Sequence, residues 1–280
     1  MMDGFFLIDK EPGWTSFGVC ARVRNLLESS KAGHTGTLDP FATGLLVVAT
    51  GKCTRLIPFL EGTVKTYHAT VVLGKTSETL DPESEVTDVP LKGDAPSRDE
   101  LEKLLQEQFI GKLQQVPPKF SAIKIEGRRS YQLARKGEEV ELTERDTEVF
   151  RLEIHEYQFP EIKVELEVAA GFYVRSFARD LGAAFGGGGL CSELRRTGVG
   201  ELSVNDAVKI EEVGEPIDPS AMLTQMGQVQ IPADFIEGFQ SGQRFPHQGE
   251  SGQKVLVMHE DRTLGVGELI GGEVQPRVVL

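Results

Sequence analysis

One short loop in this sequence combines an ionisable side chain with residues that disfavour a helix. It spans residues 33–44, reads Gly-His-Thr-Gly-Thr-Leu-Asp-Pro-Phe-Ala-Thr-Gly, and precedes the apolar run 45–49. Its glycines, proline and threonines predict a shaped loop that leads into a buried strand. Asp39 is the only acid of the loop and is flanked by Leu38 and Pro40. Asp39 is therefore a candidate catalytic carboxylate, although an Asx-turn accounts for the same residues.

Three further polar side chains stand beside apolar sequence. Lys10 follows the first predicted strand, Tyr67 begins another, and Arg175 opens a predicted helix. An arginine that reaches a buried aspartate keeps the carboxylate ionised, because the opposite charge offsets the desolvation that raises its pKa. A nearby aromatic ring offers a surface on which a base or a sugar can stack. Each of these side chains, taken alone, more often has a structural role.

Length and composition exclude several classes of protein. The chain has 280 residues, of which 26% are charged and 39% hydrophobic, as in a globular protein with one domain or a large and a small one. The N-terminus lacks the basic and apolar regions of a signal peptide. No apolar run approaches the ~20 residues that span a bilayer. The sequence therefore predicts a cytoplasmic protein.

Neither the cysteines nor the histidines are spaced like metal ligands. The three cysteines are far apart and form no C-x-x-C pair, and the five histidines form no cluster. A Gly-Lys-Thr triplet at 74–76 follows a strand, but the position five residues before Gly74 is Ala69, within that strand. A phosphate-binding loop needs a glycine there. The sequence therefore predicts no metal site and no phosphate loop.

Charge is distributed unevenly along the chain. The net charge is −13, yet residues 111–136 contain seven lysines and arginines against one glutamate. Residues 74–102 contain nine acids against three basic residues. Because salt screens charges beyond ~8–10 Å, a local basic stretch can bind nucleic acid on an acidic protein. A solvated charged surface is the alternative interpretation.

The predicted elements favour an α+β fold with a mixed, largely antiparallel sheet. Helices and strands interleave without a regular βαβ repeat. The principal strands are predicted at 4–8, 45–49, 67–73, 120–125, 148–159 and 162–170, and the helices begin near 16, 52, 97 and 173. The acidic stretch 76–95 is predicted to be a long loop. Short β-like runs near the end of the chain predict a small β-rich domain at 226–280, which follows a larger domain at 1–225.

Several motifs, in order, resemble the TruB family of pseudouridine synthases, the bacterial tRNA pseudouridine-55 synthases. Loop 33–44 is similar to the catalytic loop of that family. The other matching segments lie at 9–16, 65–67, 116–118, 121–124, 171–175, 180–182 and 194–197. The resemblance extends from residue 4 to about residue 208.

The resemblance implies a catalytic domain of the pseudouridine synthase type and a C-terminal PUA-like RNA-binding domain. The implied reaction is isomerisation of uridine 55 in the T-arm (TΨC loop) of tRNA. The uridine leaves the RNA stack, its C1′–N1 bond breaks, and the base reattaches through C5. No cofactor or metal is implied, because the reaction has no redox step and adds no outside group. The implied partner is tRNA, and the enzyme is expected to act as a monomer without a membrane or a protein partner.

The resemblance also implies roles for individual residues. The implied catalytic residues are Asp39, Tyr67 and Arg175. In these implied roles, Asp39 is the catalytic aspartate, Arg175 pairs with it, and Tyr67 stacks on the flipped base and helps to remove the C5 proton. The implied substrate-binding residues are His34, which fills the vacated space in the RNA stack, Leu194, which walls the base pocket, and Lys10, Tyr173, Ser121 and Lys124. An insertion at about 116–145 is implied to clamp the RNA backbone. Three roles stay open for Asp39: attack on C1′, addition to the base, or removal of a sugar proton.

Three other functions fit parts of the sequence. A guide-RNA-dependent relative is the nearest, but the insertion at 116–145 and the small C-terminal segment favour an enzyme that acts alone. A non-catalytic tRNA-binding or folding protein would keep its biological effect after Asp39→Asn. A glycosidase with two carboxylates is disfavoured, because no second acid in the sequence has a clear position beside Asp39.

Overall fold

The computed structural model describes residues 2–60, 62–121, 124–125, 128–129 and 142–280. The first elements are β1 (Gly4–Lys10), α1 (Ser16–Leu26), β2 (Ala32–His34), β3 (Thr43–Thr50), β4 (Lys65–Leu73), β5 (Lys75–Ser77), β6 (Val86–Asp88), α2 (Arg98–Gln108), β7 (Gly111–Gln115), β8 (Lys124–Ile125) and β9 (Arg128–Arg129). They are followed by β10 (Arg145–Gln158), β11 (Glu161–Val168), α3 (Val174–Ala184), β12 (Gly189–Val199), β13 (Leu202–Ser203), α4 (Pro219–Met222), β14 (Gly227–Gln230), α5 (Ile236–Gln240), β15 (Phe245–Pro246), β16 (Lys254–His259), β17 (Arg262–Ile270) and β18 (Glu273–Val279). Short 3₁₀ helices lie at Gly51–Leu60, Val204–Asp206, Ile210–Glu212 and Ala233–Phe235.

The larger sheet carries the candidate site. Its strands follow the order β1-β3-β12-β4-β11-β10-β7, with β2 beside β3 and β13 beside β12. In the described part of the chain, the pairing of β12 with β3 is parallel and the other pairings of this sheet are antiparallel. The predicted α+β fold with a mixed, largely antiparallel sheet is therefore confirmed.

Alternation along β4 and β11 divides this sheet into an apolar and a polar face. Tyr67 and Ala69 of β4 are buried, and His68 between them is exposed. Alternate residues of β11 are buried in the same way. The buried side chains pack against α1, α2 and α3, where Val19, Leu101 and Phe177 enter the same apolar cluster. Because side chains alternate between the two faces of a strand, the apolar ones share one face, and the helices pack on that face.

Two helix starts follow from local hydrogen bonds. Thr15 caps α1 by accepting a hydrogen bond from the backbone N–H of Gly18. Ser97 and Glu100 form the predicted capping box at the start of α2, each side chain bonding the backbone of the other. These caps fix where the two helices enter the layer beside the sheet.

A second sheet follows at the end of the chain, with strands in the order β14-β16-β17-β18-β15. Leu256 and Met258 of β16 join an apolar cluster with Leu45 and Val47 of β3. The alternate residues of β16, Val255 and Val257, enter a separate core with Phe239 and Phe245. One face of the second sheet therefore packs on the first. The expected division of the chain at 225/226 and the PUA-like character of this sheet stay predictions.

Several segments of the larger region differ from the sequence-based expectation. The prediction does not include strand β7, and of the strand predicted at 120–125 only β8 is described as strand. The stretch 76–95 contains a hairpin of β5 and β6 rather than only a loop. Strand β12, which lies between β3 and β4 in the sheet, is absent from the prediction. Its alternation is obscured because it contains Glu193, Arg195 and Arg196, and the last of these is 1% exposed. No helix in the described residues is long and apolar enough to cross a membrane.

Leu256→Ala tests whether the two sheets depend on one another. Leu256 is fully buried in the cluster shared by both sheets. We expect a loss of about 2–5 kcal/mol in the free energy of unfolding, because the substitution leaves a cavity between the sheets. Urea unfolding followed by circular dichroism measures it, with the exposed Val86→Ala as the control. Loss of the second sheet alone, in a separate earlier transition, would contradict a shared core.

Candidate active site

A cavity of about 220 Å³ opens beside the loop that precedes β3. It lies where that loop meets the central strands and the start of α3. Its lining comprises residues 36–39 of the loop, Lys65 and Tyr67 of β4, Ser121, residues 171–175 at the start of α3, and Leu194 and Arg196 of β12. Distant parts of the sequence are therefore brought to one small cavity.

Asp39 and Arg175 form an ion pair at this cavity. Nε of Arg175 lies 2.8 Å from Oδ2 of Asp39. The arginine side chain is only 4% exposed, whereas that of Asp39 is 29% exposed. Arg175 is the second residue of α3, so the start of the helix directs the guanidinium toward the loop. The carboxylate is held from behind while remaining open to the cavity.

A second aspartate, Asp81, binds the same guanidinium. Nη1 of Arg175 donates to Oδ2 of Asp81 at 3.1 Å and to the carbonyl of Thr79 at 2.8 Å. Nη2 donates to the carbonyl of Phe120 at 2.9 Å. The Asp81 side chain is 1% exposed and also accepts from the hydroxyl of Thr79. Arg175 therefore joins three separate segments of the chain.

The sequence reading missed Asp81, although the sequence contains a signal for it. The tetrapeptide Thr-Leu-Asp-Pro occurs twice, at 37–40 and at 79–82. Each copy supplies one of the two carboxylates bound by Arg175. In the sequence no second acid has a clear position beside Asp39. The structure places Asp81 near it, because the turn between β5 and β6 brings Thr79 and Asp81 to Arg175.

Burial is the main cause of the raised pKa values of Asp39 and of Glu83. Burial raises the pKa of Asp39 above its ordinary value, against the opposing effect of Arg175, and the charge of Asp81 adds to the rise. The pKa of Glu83 is raised by burial and by Asp81 and Asp39. A single guanidinium thus neutralises only part of this acidic group.

Loop 33–44 is held in place by hydrogen bonds and by a close backbone contact. The hydroxyl of Ser16 donates to the carbonyl of Leu38 and accepts from the backbone N–H of Leu38. At the end of the loop, Gly44 has φ +98°, and a Cβ there would lie 2.2 Å from the carbonyl oxygen of Arg196. Glycine is therefore required where β3 meets β12.

Lys10 supports the same loop and does not reach the cavity. Its side chain is fully buried, and its ammonium donates to the carbonyls of Glu11, Trp14 and Pro40 at 2.7–3.1 Å. Burial lowers the pKa of Lys10 to about 8. The expectation that Lys10 contacts the substrate does not fit this placement, because its hydrogen-bonding capacity is used to fix the backbone beside Asp39.

The other predicted site residues divide into two groups. Tyr67, Leu194, Tyr173 and Ser121 line the cavity with Asp39 and Arg175. Burial raises the pKa of the Tyr173 hydroxyl, and the hydroxyl of Ser121 opposes this rise.

His34 and Lys124 are not brought to the cavity by the described contacts. His34 lies in β2 opposite Val48, outside the cavity lining. Lys124 lies in β8, and its side chain is outside the described residues. Most of residues 122–141, which include the end of the basic stretch 111–136, are also outside them. The roles of these residues in binding RNA stay predictions.

Two cations of the cavity were not assigned roles from the sequence. Lys65 lies at the start of β4 and Arg196 lies on β12, with 9% and 1% of their surfaces exposed. No group of three or more histidine, cysteine or acidic side chains within the described ranges is arranged to hold a metal ion. The chemistry that this cavity offers is that of a carboxylate, two tyrosines and buried cations.

Comparisons with known proteins agree in pointing to one family. The family model for "TruB family pseudouridylate synthase (N terminal domain)" matches residues 24–174. The "tRNA pseudouridine synthase B" of Nostoc sp. is 38% identical over 99% of this chain and 98% of its own length. Its namesake from Aquifex aeolicus is 39% identical over 100% of both chains.

Solved structures match nearly the whole chain as well. A chain described as "Crystal Structure of a Cbf5-Nop10-Gar1 Complex" has a TM-score of 0.73 and 25% identity, covering 99% of this chain and 84% of that chain. A second, described as "Structure of H/ACA RNP bound to a substrate RNA containing 2'-deoxyuridine", has a TM-score of 0.72 and 23% identity over the same shares. The arrangement of both sheets is therefore shared with these chains.

Arg175→Met tests the ion pairs in the cavity. The variant leaves Asp39 and Asp81 without their shared cation, so the pKa of Asp39 rises further and the folded state binds protons more readily than the unfolded chain. We expect a loss of about 3–5 kcal/mol in unfolding free energy at pH 7. The loss should shrink as pH falls, because protonation removes the unpaired charges.

Urea unfolding at pH 7 and pH 5 measures this difference. Arg151→Met is the matched control, since the pairs that Arg151 forms among the described residues, with Glu153, Glu165 and Glu167, lie on the polar face of the sheet. It should lose less than about 1 kcal/mol. An equal loss at both pH values in Arg175→Met would show that packing, and not charge, accounts for its effect.

Proposed function

The chain belongs to the TruB family of pseudouridylate synthases, and we propose that it converts uridine 55 in the T-arm of tRNA to pseudouridine. The observation that carries this proposal is the Asp39 carboxylate, which opens to a small cavity and is paired with the buried Arg175. The relatives named above that match nearly the full length of the chain are tRNA pseudouridine synthases by name. The proposed substrate and position extend those names to this chain.

The cavity supports a reaction on a single base taken out of the RNA stack. Tyr67 and Leu194 are almost fully buried and offer an aromatic and an aliphatic wall. A base inside a duplex exposes neither its C1′–N1 bond nor C5 to such a cavity, so the nucleotide must be flipped. Stacking on an aromatic ring contributes about 1–3 kcal/mol per base, which helps to offset the unstacking.

We assign Asp39 as the residue that acts on the nucleotide. Its carboxylate alone among the two aspartates bound by Arg175 is accessible, because Asp81 is 1% exposed. Attack on C1′, addition to the base and removal of a sugar proton all require an ionised carboxylate. Arg175 favours that form and fixes the position of Oδ2, since the guanidinium is itself anchored to Asp81.

The same geometry disfavours the alternative functions. A two-carboxylate glycosidase needs two acids open to the substrate, and Asp81 is closed off behind Arg175. The similarity to a Cbf5-Nop10-Gar1 complex keeps a guide-dependent enzyme as the second candidate. Full-length similarity to enzymes named tRNA pseudouridine synthase B favours action without a guide.

Asp39→Asn separates catalysis from binding. We expect release of tritium from C5-labelled uridine in an unmodified tRNA transcript to fall by at least about 10³-fold under single-turnover conditions. Binding of the transcript should survive, because the amide occupies the same space. Asp94→Asn, an exposed acid with the same change in charge, is the control.

The wild-type protein decides between the candidate functions in the same assay. Tritium release from the transcript without added RNA supports a stand-alone synthase. Binding without release would instead favour the guide-dependent or the non-catalytic alternative. Chromatography of nucleosides from the digested product then locates the modified position.

Asp81→Asn tests the second carboxylate through the pH dependence of the reaction. The charge of Asp81 raises the pKa of Asp39, so its removal lowers that pKa. Activity requires ionised Asp39 and is lost as pH falls through its pKa. The acid side of the single-turnover rate profile should therefore move to lower pH in the variant.

The control for this shift is Asp88→Asn, an exposed acid of the same hairpin, paired loosely with Lys75. The acid side of its single-turnover rate profile should coincide with that of the wild type. If the acid side of the rate profile of Asp81→Asn does not move, or moves to higher pH, the two aspartates are not coupled electrostatically as described.

A further inference from the structure

The cavity contains two buried cations, Lys65 and Arg196, that have no acidic partner in the described part of the chain. Lys65 donates from its ammonium to the carbonyl of Thr63 at 2.5 Å. Arg196 donates from Nε to the carbonyl of Leu45 at 2.7 Å and from Nη2 to that of Gly36 at 3.1 Å. Within the described residues, no carboxylate forms an ion pair with either cation. The two nearby aspartates are both bound by a different residue, Arg175.

Such an arrangement is unfavourable for the fold alone. A buried charge without a counter-ion costs several kcal/mol, which backbone carbonyls offset only in part. Burial, and then the charge of Arg196, lower the pKa of Lys65 to about 8. A strongly perturbed cation that lines a cavity is a candidate for a functional role.

Both cations converge on one point at the edge of the cavity. A Cβ atom on Gly36 would lie 3.5 Å from Nη1 of Arg196 and 3.5 Å from Cε of Lys65. Because residue 36 is glycine, that space is left open. An atom of a bound molecule at this point would contact the guanidinium of Arg196 and Cε of Lys65, the carbon that carries its ammonium.

The chemistry of the reaction supplies a negative charge inside the cavity. When the C1′–N1 bond breaks, its electron pair goes to N1, and the charge is shared with O2 and O4 of uracil. If Asp39 instead adds to the base, the electron pair displaced from the ring moves to O4. In either case the base carries negative charge until C5 bonds to C1′. The C5 proton then leaves and N1 takes up a proton, so that the pseudouridine formed is neutral.

We propose that Lys65, with Arg196 behind it, stabilises the negative charge that develops on a carbonyl oxygen of the flipped uracil. The inference rests on the proposed function and adds a catalytic group to it. A phosphate of the RNA backbone is a poorer partner, because both cations are almost fully buried and the backbone stays outside a cavity of this size. Lys65 contacts the base, and Arg196 positions it and adds charge.

Lys65→Met is the principal test. We expect the single-turnover rate of tritium release to fall on the order of 10²-fold, as when one donor to a developing oxyanion is removed. The dissociation constant for the tRNA transcript should change less than about 3-fold, because the uracil is neutral before the bond breaks. Lys65→Arg should recover part of the rate.

Two measurements distinguish this role from a structural one. The midpoint of urea unfolding in Lys65→Met should equal or exceed that of the wild type, because an unpaired buried charge has been removed. Lys103→Met, which changes an exposed lysine of α2, should leave rate and binding unchanged. A Lys65→Met protein that is slow because it is destabilised would contradict the proposal.

Gly36→Ala tests the convergence point without changing charge. The added methyl group would meet its neighbours at ordinary contact distance, so the fold should tolerate it. It would occupy the space between the cations, and we expect slower tritium release with unchanged binding of RNA. A wild-type rate in this variant would show that no substrate atom approaches there.

The outcomes separate this inference from the proposed function. Tritium release at the wild-type rate in Lys65→Met would overturn the inference and leave the function standing. A weaker dissociation constant with an unchanged rate would also overturn it, because Lys65 would then bind the RNA backbone. Absence of release from the wild-type protein would instead reject the function itself.

Discussion

The guanidinium of Arg175 binds two carboxylates from loops that are more than forty residues apart, and the cavity depends on this contact. Asp39 comes from the loop before β3, Asp81 from the turn between β5 and β6, and a third contact reaches the carbonyl of Phe120. A planar group with fixed donor directions can hold all three at once. The same contact keeps one carboxylate open to the cavity and the other closed.

The sheet provides the rigid support for that arrangement. Strand β12 inserts between β3 and β4, so that the loop carrying Asp39 and the strand carrying Tyr67 flank the same strand. Lys10 and Ser16 hold the backbone on either side of Asp39 from behind. The acidic group thus sits on a loop that has little freedom to relax, as a preorganised site requires.

The net charge of the chain is a poor guide to the charge inside the cavity. The protein carries −13, yet four cations lie buried around two aspartates: Lys10, Lys65, Arg175 and Arg196. Arg175 lies between carboxylates, whereas the other three donate to backbone carbonyls. Of these three, Lys65 and Arg196 line the cavity and bring positive charge to it. Local burial, which removes screening by solvent, therefore determines what this cavity can stabilise.

The sequence by itself determined the elements with a regular period and the motif residues. The alternation in β11, the capping box of α2 and the loop around Asp39 could all be read from local patterns, because each depends on neighbours a few residues away. The resemblance to a known family added the pairing of Asp39 with Arg175, which the structure contains.

Only the tertiary structure decided which charged groups share a cavity. Asp81 stands in an acidic stretch that the sequence predicts to be a long loop, and it is buried where the turn of the β5–β6 hairpin meets Arg175. Lys10 reads as a residue near a substrate, but the turn after β1 encloses its ammonium with carbonyls. A charged side chain such as Arg196 is usually exposed, but Arg196 is buried because β12 lies between β3 and β4 inside the sheet. Burial and ion pairing depend on contacts between distant segments, and a linear pattern carries no direct record of them.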